Sequence, residues 1–241
     1  HQVCNDWYNN DVSVGVDDGI EADFAMGNCR IVRNRFTNCF MGLSAQPSLG
    51  GPTYFILNVM YNLTHAAFKL HRFSQGDVVL HNTVIKVGDG MSCFTEDPFD
   101  YALFRNNVCI GGPNPGLKFP GTGMAARIKV FGPHVDLDYD ALGVWKTPFK
   151  GQIGKQFFDS LETLRQGPFE RHGVVADLSV FQDVAFPEEP LKAYTPPDLR
   201  PRAGTAVVDA GARLPNVNDG YLGEAPDLGA YEAGQELPVY G

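Results

Sequence analysis

The 241-residue chain has no apolar run approaching the roughly 18–20 residues that a membrane span needs. It is short of positive charge: 19 Lys and Arg stand against 28 Asp and Glu, a formal net charge of −9. Phosphate backbones are held by clustered Lys and Arg, so this balance excludes a backbone-reading nucleic-acid binder. Tryptophan (2) and methionine (5) are scarce, whereas 27 Gly and 17 Pro favour many turns and short strands over long helices. The cysteines (Cys4, Cys29, Cys39, Cys93, Cys109) match neither metal-ligand spacing nor a dense disulfide framework. Their plainest use is as small buried hydrophobes. The first residues carry no basic, apolar, small-residue leader. The expectation is a mature or trimmed chain, the C-terminal portion of something longer, whose N-terminal portion is a partner if it exists as a separate chain. At 44% hydrophobic residues, the chain can build a core.

What is present is a repeat. Asn recurs at 10, 34, 58, 82 and 106, a step of 24 residues throughout. Val12, Phe36, Met60, Val84 and Val108 keep the same step, as do Ile31, Phe55, Val79 and Leu103. β-Branched and aromatic stretches such as RIVRNRF and DVVLHNTVIKV exclude a helical repeat. The pattern predicts an all-β fold, a right-handed parallel β-helix whose coils stack about 4.8 Å apart. Stacked Asn side chains would satisfy one another inside a bend. The coils are expected at 4–27, 28–51, 52–76, 77–100 and 101–134, the last lengthened through GGPNPG. Beyond 134 the period is lost. Phe157, Phe158, Leu161 and Leu164 predict one helix over 155–166, and the rest of 135–241 reads as an irregular cover on the same domain. That cover is expected over the apolar strands at 31–32, 55–56, 79–80 and 103–104. Arg33, His81 and Arg105 read as turn residues before the Asn column, and Asp136, Asp138 and Asp140 as structural. Asn62-Leu63-Thr64 is a glycosylation sequon.

Asp138-Tyr139-Asp140, Val208-Asp209-Ala210-Gly211 and Pro226-Asp227-Leu228-Gly229-Ala230-Tyr231-Glu232, set behind this repeat, resemble the C-terminal region of bacterial β-helix proteins of the pectate-lyase-like superfamily. The resemblance covers nearly the whole chain. It implies the fold, further coils ahead of residue 1 and a secreted or periplasmic setting; the superfamily holds lyases, hydrolases, epimerases and non-enzymes. The acidic E-x-D strand followed by Asn34-Arg35-Phe36 is similar to the calcium-site strand of β-helix chondroitin and alginate lyases. The lysine that follows that strand in those enzymes has no counterpart, since Ala25, Met26 and Gly27 stand there.

Alternation within the strand after each Asn turn places Ile20/Ala22, Leu43/Ala45, Phe68/Leu70 and Met91/Cys93 inward. It places Glu21, Ser44, Lys69 and Ser92 on one outward ladder, and Asp23, Gln46, His71 and Phe94 on the next. This open sheet is the expected polysaccharide-binding face. Asp17, Asp18, Glu21 and Asp23 crowd four carboxylates that need a cation, a proton or a basic neighbour to compensate them; Asp17, Glu21 and Asp23 suit Ca²⁺ as oxygen ligands. Lys69 and His71, roughly 10 Å away by strand spacing, with Glu21 and Asp18, are the catalytic candidates, and Ser44, Gln46 and Phe94 the substrate-binding ones. A β-eliminating polysaccharide lyase needs its substrate carboxylate neutralised, a base and a proton donor. A glycoside hydrolase needs two carboxylates, which Glu21 with Asp17 or Asp23 would supply. The other alternative is a non-catalytic glycan-binding or structural β-helix. The lyase is the leading expectation.

Overall fold

Short β-branched and aromatic segments, many of them ended by a residue with left-handed backbone, wind the chain into a parallel β-solenoid of about six turns of roughly 25 residues. The computed structural model describes residues 2–241. Three parallel sheets form its walls. The first holds Asp6–Tyr8, Cys29–Val32, Leu49–Ile56, Gln75–Leu80, Leu103–Arg105 and Asp136–Asp138. The second holds Asp11–Ser13, Arg35–Cys39, Val59–Leu63, Thr83–Ile85, Val108–Gly111, Ala141–Val144 and Val174–Ala176. The third holds Asp18–Glu21, Met41–Ala45, Phe68–Leu70, Met91–Phe94, Ala126–Ile128 and Gly151–Ile153, with Gln156–Phe158 added antiparallel.

The core is three stacked rows. Ile31, Phe55, Val79, Phe104 and Leu137 pair in the first sheet, with exposed Trp7 continuing the row at the end of the solenoid. Val12, Phe36, Met60, Val84, Cys109 and Leu142 pair in the second. Ile20, Leu43, Phe68 and Cys93 pair in the third. The expected Val108 and Leu103 are thus replaced by Cys109 and Phe104, because the fourth coil carries one extra residue.

The Asn column corrects in the same way. The backbone N–H and Nδ2 of Asn10, Asn34, Asn58 and Asn82 donate to Oδ1 of the next member, at 2.8–3.0 Å. The member after Asn82 is Asn107, not Asn106, and Asn107 donates in turn to Asp140 Oδ1 at 2.7 and 2.8 Å. Asn9, Arg33, Leu57, His81, Asn106 and Tyr139, each just ahead of a ladder residue, all have φ between 51 and 66°. Arg33 and His81 are turn residues as expected; Arg105 lies one position earlier, pairing with Leu80 and Asp138 and bonded to Asp136. The ladder ends on Glu170, whose Oε2 accepts from Asp140 N at 3.1 Å. A Cβ on Gly173 would meet that same oxygen at 2.8 Å, so glycine there leaves room for the terminating carboxyl.

Stacking therefore continues past residue 134, through Asp136–Asp138, Ala141–Val144 and Val174–Ala176. The repeat disappears from the sequence there because long insertions lie between strands whose register persists. The expected helix is shorter, Leu161–Arg165, started by Ser160, whose Oγ accepts from Thr163 N. Gln156–Phe158 is a hairpin strand instead, with Phe158 in the core and Phe157 exposed. The tail covers the second sheet rather than the first. Val59, Tyr61, Ile85, Val108 and Ile110 point outward there and pack against Val180, Phe181, Phe186, Leu199, Val207 and Leu228. Asn62 of the sequon is fully buried, its Nδ2 donating to Asn38 Oδ1, Pro190 O and Lys192 O. No helix among the described residues is long and apolar enough to cross a membrane.

Candidate functional site

The tail covers the second sheet and leaves the first and third open; the third carries the polar candidates and the inserted segment that make it the candidate ligand face. Its rows differ from the expectation in coil four. Glu21 pairs with Ser44, Ser44 with Lys69, and Lys69 with Phe94. Phe94 therefore stands in the Lys69 row, Ser92 pairs with Arg127, and His71 faces Glu96, whose backbone N–H donates to its Nδ1 at 3.1 Å.

The structure joins Lys69 to Asp18, Nζ to Oδ2 at 2.7 Å, both side chains almost wholly buried. Burial works against the Lys69 ammonium, but the hydrogen bond and charge of Asp18, with Asp23 and Asp17, outweigh it and raise its pKa. Asp18 is also raised, by burial first and then by Asp17 and Glu21, against the pull of Lys69. Contact at 2.7 Å describes a charged pair, and the rise of Asp18 reflects its other oxygen, Oδ1, which is buried without a partner. Lys69 is accordingly held as an ammonium.

Asp23 Oδ1 accepts from Ser44 Oγ at 3.0 Å and from Gln46 N at 2.9 Å. Ser44 faces outward but is covered completely, so its hydroxyl orients Asp23 and is closed to a substrate. Asp17, Asp18 and Glu21 line a cavity at the solenoid end with Trp7, Ile20 and Ile31. No group of three or more His, Cys, Asp or Glu among the described residues is arranged to hold a metal ion. Lys69 supplies a counter-charge to the cluster through Asp18, and Asp23 Oδ1 already accepts two hydrogen bonds.

A second cavity, of about 210 Å³, lies farther along the same sheet; the sequence reading offered Phe94 as a substrate-binding residue and Ser92 as outward-facing there, and missed the rest. It is lined by His65, Ser92, Phe94, Phe119, Arg127 and Lys129, over Asp89. From Asn107 to Asp140 the coil takes 33 residues instead of 24. Part of the excess, the Pro- and Gly-rich segment 113–124, folds over the sheet as a roof, and in solenoids such insertions gather on one face. GGPNPG was the available signal for it. His65 stacks on Phe119 with centroids 5.1 Å apart. The Phe94 ring stands between two imidazoles, 5.1 Å from His65 and 5.5 Å from His71.

Asp89 pins this roof. Its Oδ1 accepts from the N–H groups of Thr122, Gly123 and Met124 at 2.9–3.1 Å, and its Oδ2 faces Arg127 Nη1 at 3.3 Å. Gly121 (φ +91°) closes directly over the carboxylate, where a Cβ would collide with it. Lys86 Nζ donates beneath to Val87 O, Asp89 O and Pro120 O; burial pulls its pKa down to about 7. Burial, with the charges of Lys86 and Lys69, pulls His65 down to about 4. At neutral pH His65 is an uncharged imidazole, with no hydrogen bond to either ring nitrogen among the described residues. No protein-family profile, curated protein or solved structure matches the chain.

Proposed function

We propose that the protein is a carbohydrate-active enzyme of the pectate-lyase-like kind, cleaving an acidic polysaccharide by β-elimination on the third sheet. The observation that carries this reading is one roofed cavity that combines an aromatic wall (His65, Phe94, Phe119) with two cationic side chains (Arg127, Lys129). Aromatic faces suit sugar rings, and guanidinium pairs with carboxylate by charge-assisted hydrogen bonds. A solenoid wall parallel to the coil axis suits a long polymer. Such polymers lie outside the cytoplasm, in keeping with a secreted or periplasmic setting.

In this reading Arg127 neutralises the uronate carboxylate and so acidifies the neighbouring C–H. A base removes that proton; the electron pair forms the new C=C bond as the C–O bond to the leaving sugar breaks, and the leaving oxygen takes up a proton. Lys69, kept as an ammonium by Asp18, is unsuited to be the base. His65, neutral and free at both ring nitrogens, is suited to it. His71 spends its Nδ1 lone pair on Glu96 N–H, so its neutral form carries a proton on Nε2 and serves as donor. No step is routed through calcium. The hydrolase alternative keeps only Glu21 with Asp17, which line the cavity at the solenoid end, because Asp23 is held by Ser44 and Gln46; the aromatic and cationic lining of the roofed cavity favours the lyase.

The test is a panel of polyuronates and neutral polysaccharides, assayed for the ultraviolet absorbance of an unsaturated product and for reducing ends. The expected result is absorbance with polyuronates only, unchanged by chelator, and lowered about 100-fold or more in His65→Ala. Reducing ends without absorbance indicate a hydrolase, and binding without either signal a non-catalytic glycan binder; both refute the lyase.

A further inference from the structure

We infer that Asp89 sets the charge selectivity of the roofed cavity, matching it to sugar units that carry one anionic group rather than two. The inference rests on the reading of the third sheet as an acidic-saccharide site and goes beyond it by assigning a specificity-determining residue. Asp89 has two jobs on its two oxygens. Oδ1 takes three successive backbone N–H groups and holds the inserted roof, with Phe119 and Pro120, in place. Oδ2 needs no such role, yet lies 3.3 Å from Arg127 Nη1. The Asp89 side chain is 3% exposed and that of Arg127 32%, so the carboxylate is fixed under Gly121 while the guanidinium still reaches the cavity.

The cavity therefore contains its own anion. Among the lining side chains Arg127 and Lys129 bring two positive charges and Asp89 one negative, a net of one, with Lys86 buried beneath Asp89 and its pKa pulled down to about 7. A ligand with a single carboxylate per sugar balances that charge. One with a carboxylate and a sulfate on neighbouring positions meets the field of Asp89 in a site from which water is partly excluded, where charges interact more strongly than in bulk solvent. Arg127 has an additional reason to discriminate. Its side chain is already engaged on one edge, so one edge of the guanidinium is left for a planar, bidentate carboxylate. Ser92 completes the polar lining: its Oγ accepts from Ala67 N at 3.2 Å, which leaves its hydroxyl proton to donate to a ligand.

Asp89→Asn separates the two jobs. The amide oxygen still accepts the three N–H groups, so the roof stays, while the negative charge facing Arg127 is gone. Binding is measured by calorimetry on the full chain with a hexauronate, a sulfated hexauronate of the same length and an uncharged hexaglucan, at low and high salt. The wild-type protein is expected to prefer the hexauronate. Asp89→Asn is expected to raise the affinity ratio of sulfated to unsulfated ligand about tenfold at low salt, with the gain shrinking at high salt. Lys129→Ala, a change at an exposed side chain, is expected to move the same ratio in the opposite direction and serves if Asp89→Asn does not fold. A ratio that stays within about twofold in a folded Asp89→Asn, or in Lys129→Ala where Asp89→Asn fails to fold, overturns the inference and leaves the reading of the face standing. No binding of either charged ligand by the wild-type protein overturns both.

Discussion

At the scale of single residues, His81 shows how burial turns a titratable group into a structural one. Its Nδ1 lies 3.1 Å from Gly229 O, and its Nε2 lies 2.8 Å from the Nδ2 groups of both Asn106 and Asn218. This set is satisfied only by the neutral ring protonated on Nδ1, since a second proton would point at two amide donors. Burial pulls its pKa down to about 4, against the opposing carbonyls of Gly229 and Asp227. A folded value below the unfolded one means that the unfolded chain takes up the proton first. The contribution is thus complete above about pH 6.5 and is lost as the pH falls toward 4. Asp77 and Glu232, raised by burial to about 6 and about 7, act in the opposite sense: their contribution is present at low pH and lost as the pH rises through those values. His81→Gln removes only the first component. Thermal melts from pH 7 to pH 4 are expected to fall less steeply in His81→Gln than in the wild-type protein; parallel profiles would refute this. The place of His81 in a turn was legible from its spacing, but its partners on the tail, 137 and 148 positions away, were not.

At the scale of elements, the Asn ladder decides which registers can stack. Each interior member receives two donors on Oδ1 and gives Nδ2 to the next Oδ1 and to a backbone carbonyl of the preceding strand, as Asn58 does to Asn82 and Ile31. Truncating Asn58 orphans Asn34 N in a fully buried turn, and unsatisfied buried donors cost about 1–3 kcal/mol each. Asn58→Ala is expected to lower unfolding stability by on the order of 3 kcal/mol in denaturant titration, whereas exposed Asn5→Ala stays near neutral; equal effects would remove the ladder from the account of stability. This element explains what could be read in advance. Four Asn at a constant step must occupy one turn position, and so the fold and three core rows followed from the sequence. The fourth coil carries one added residue, and with adjacent Asn106 and Asn107 a constant step selects the wrong one. On the open sheet the displacement is two residues, Phe94 rather than Ser92 pairing with Lys69, which keeps the same side chains outward but moves them one pair along. The cavity was not legible, because His65, Asp89, Phe119 and Arg127 come from different coils and an insertion that keeps no period.

At the scale of the whole molecule, the closing motif that carried the family resemblance works as a clasp. Asp227 Oδ1 accepts from Asp209 N at 2.8 Å and its Oδ2 from Ala233 N at 2.6 Å, while Glu232 Oε1 accepts from Asp227 N at 3.0 Å. Asp209 Oδ1 in turn holds Glu224 N and Ala225 N. This knot is tied to the solenoid by Gly229 N to Asn106 O at 2.7 Å and Ala230 N to Thr83 Oγ1 at 2.9 Å. The tail is thus fastened where it meets the Asn turn, and its apolar residues are pressed on Tyr61, Ile85 and Ile110 of the second sheet. Asp227→Ala leaves two N–H groups without their acceptor, a loss of about 2 kcal/mol or more. For a chain of this size that corresponds to a fall in Tm of about 4–8 °C. The loosened tail is expected to be cut by protease within 203–225 while the coils resist. Because the clasp lies on the second sheet and the roofed cavity on the third, saccharide binding below the melting temperature is expected to stay at the wild-type level. If Asp227→Ala instead abolishes binding in a protein that still melts cooperatively, the tail and the open sheet are coupled, and the division of the solenoid into a covered wall and a working wall fails.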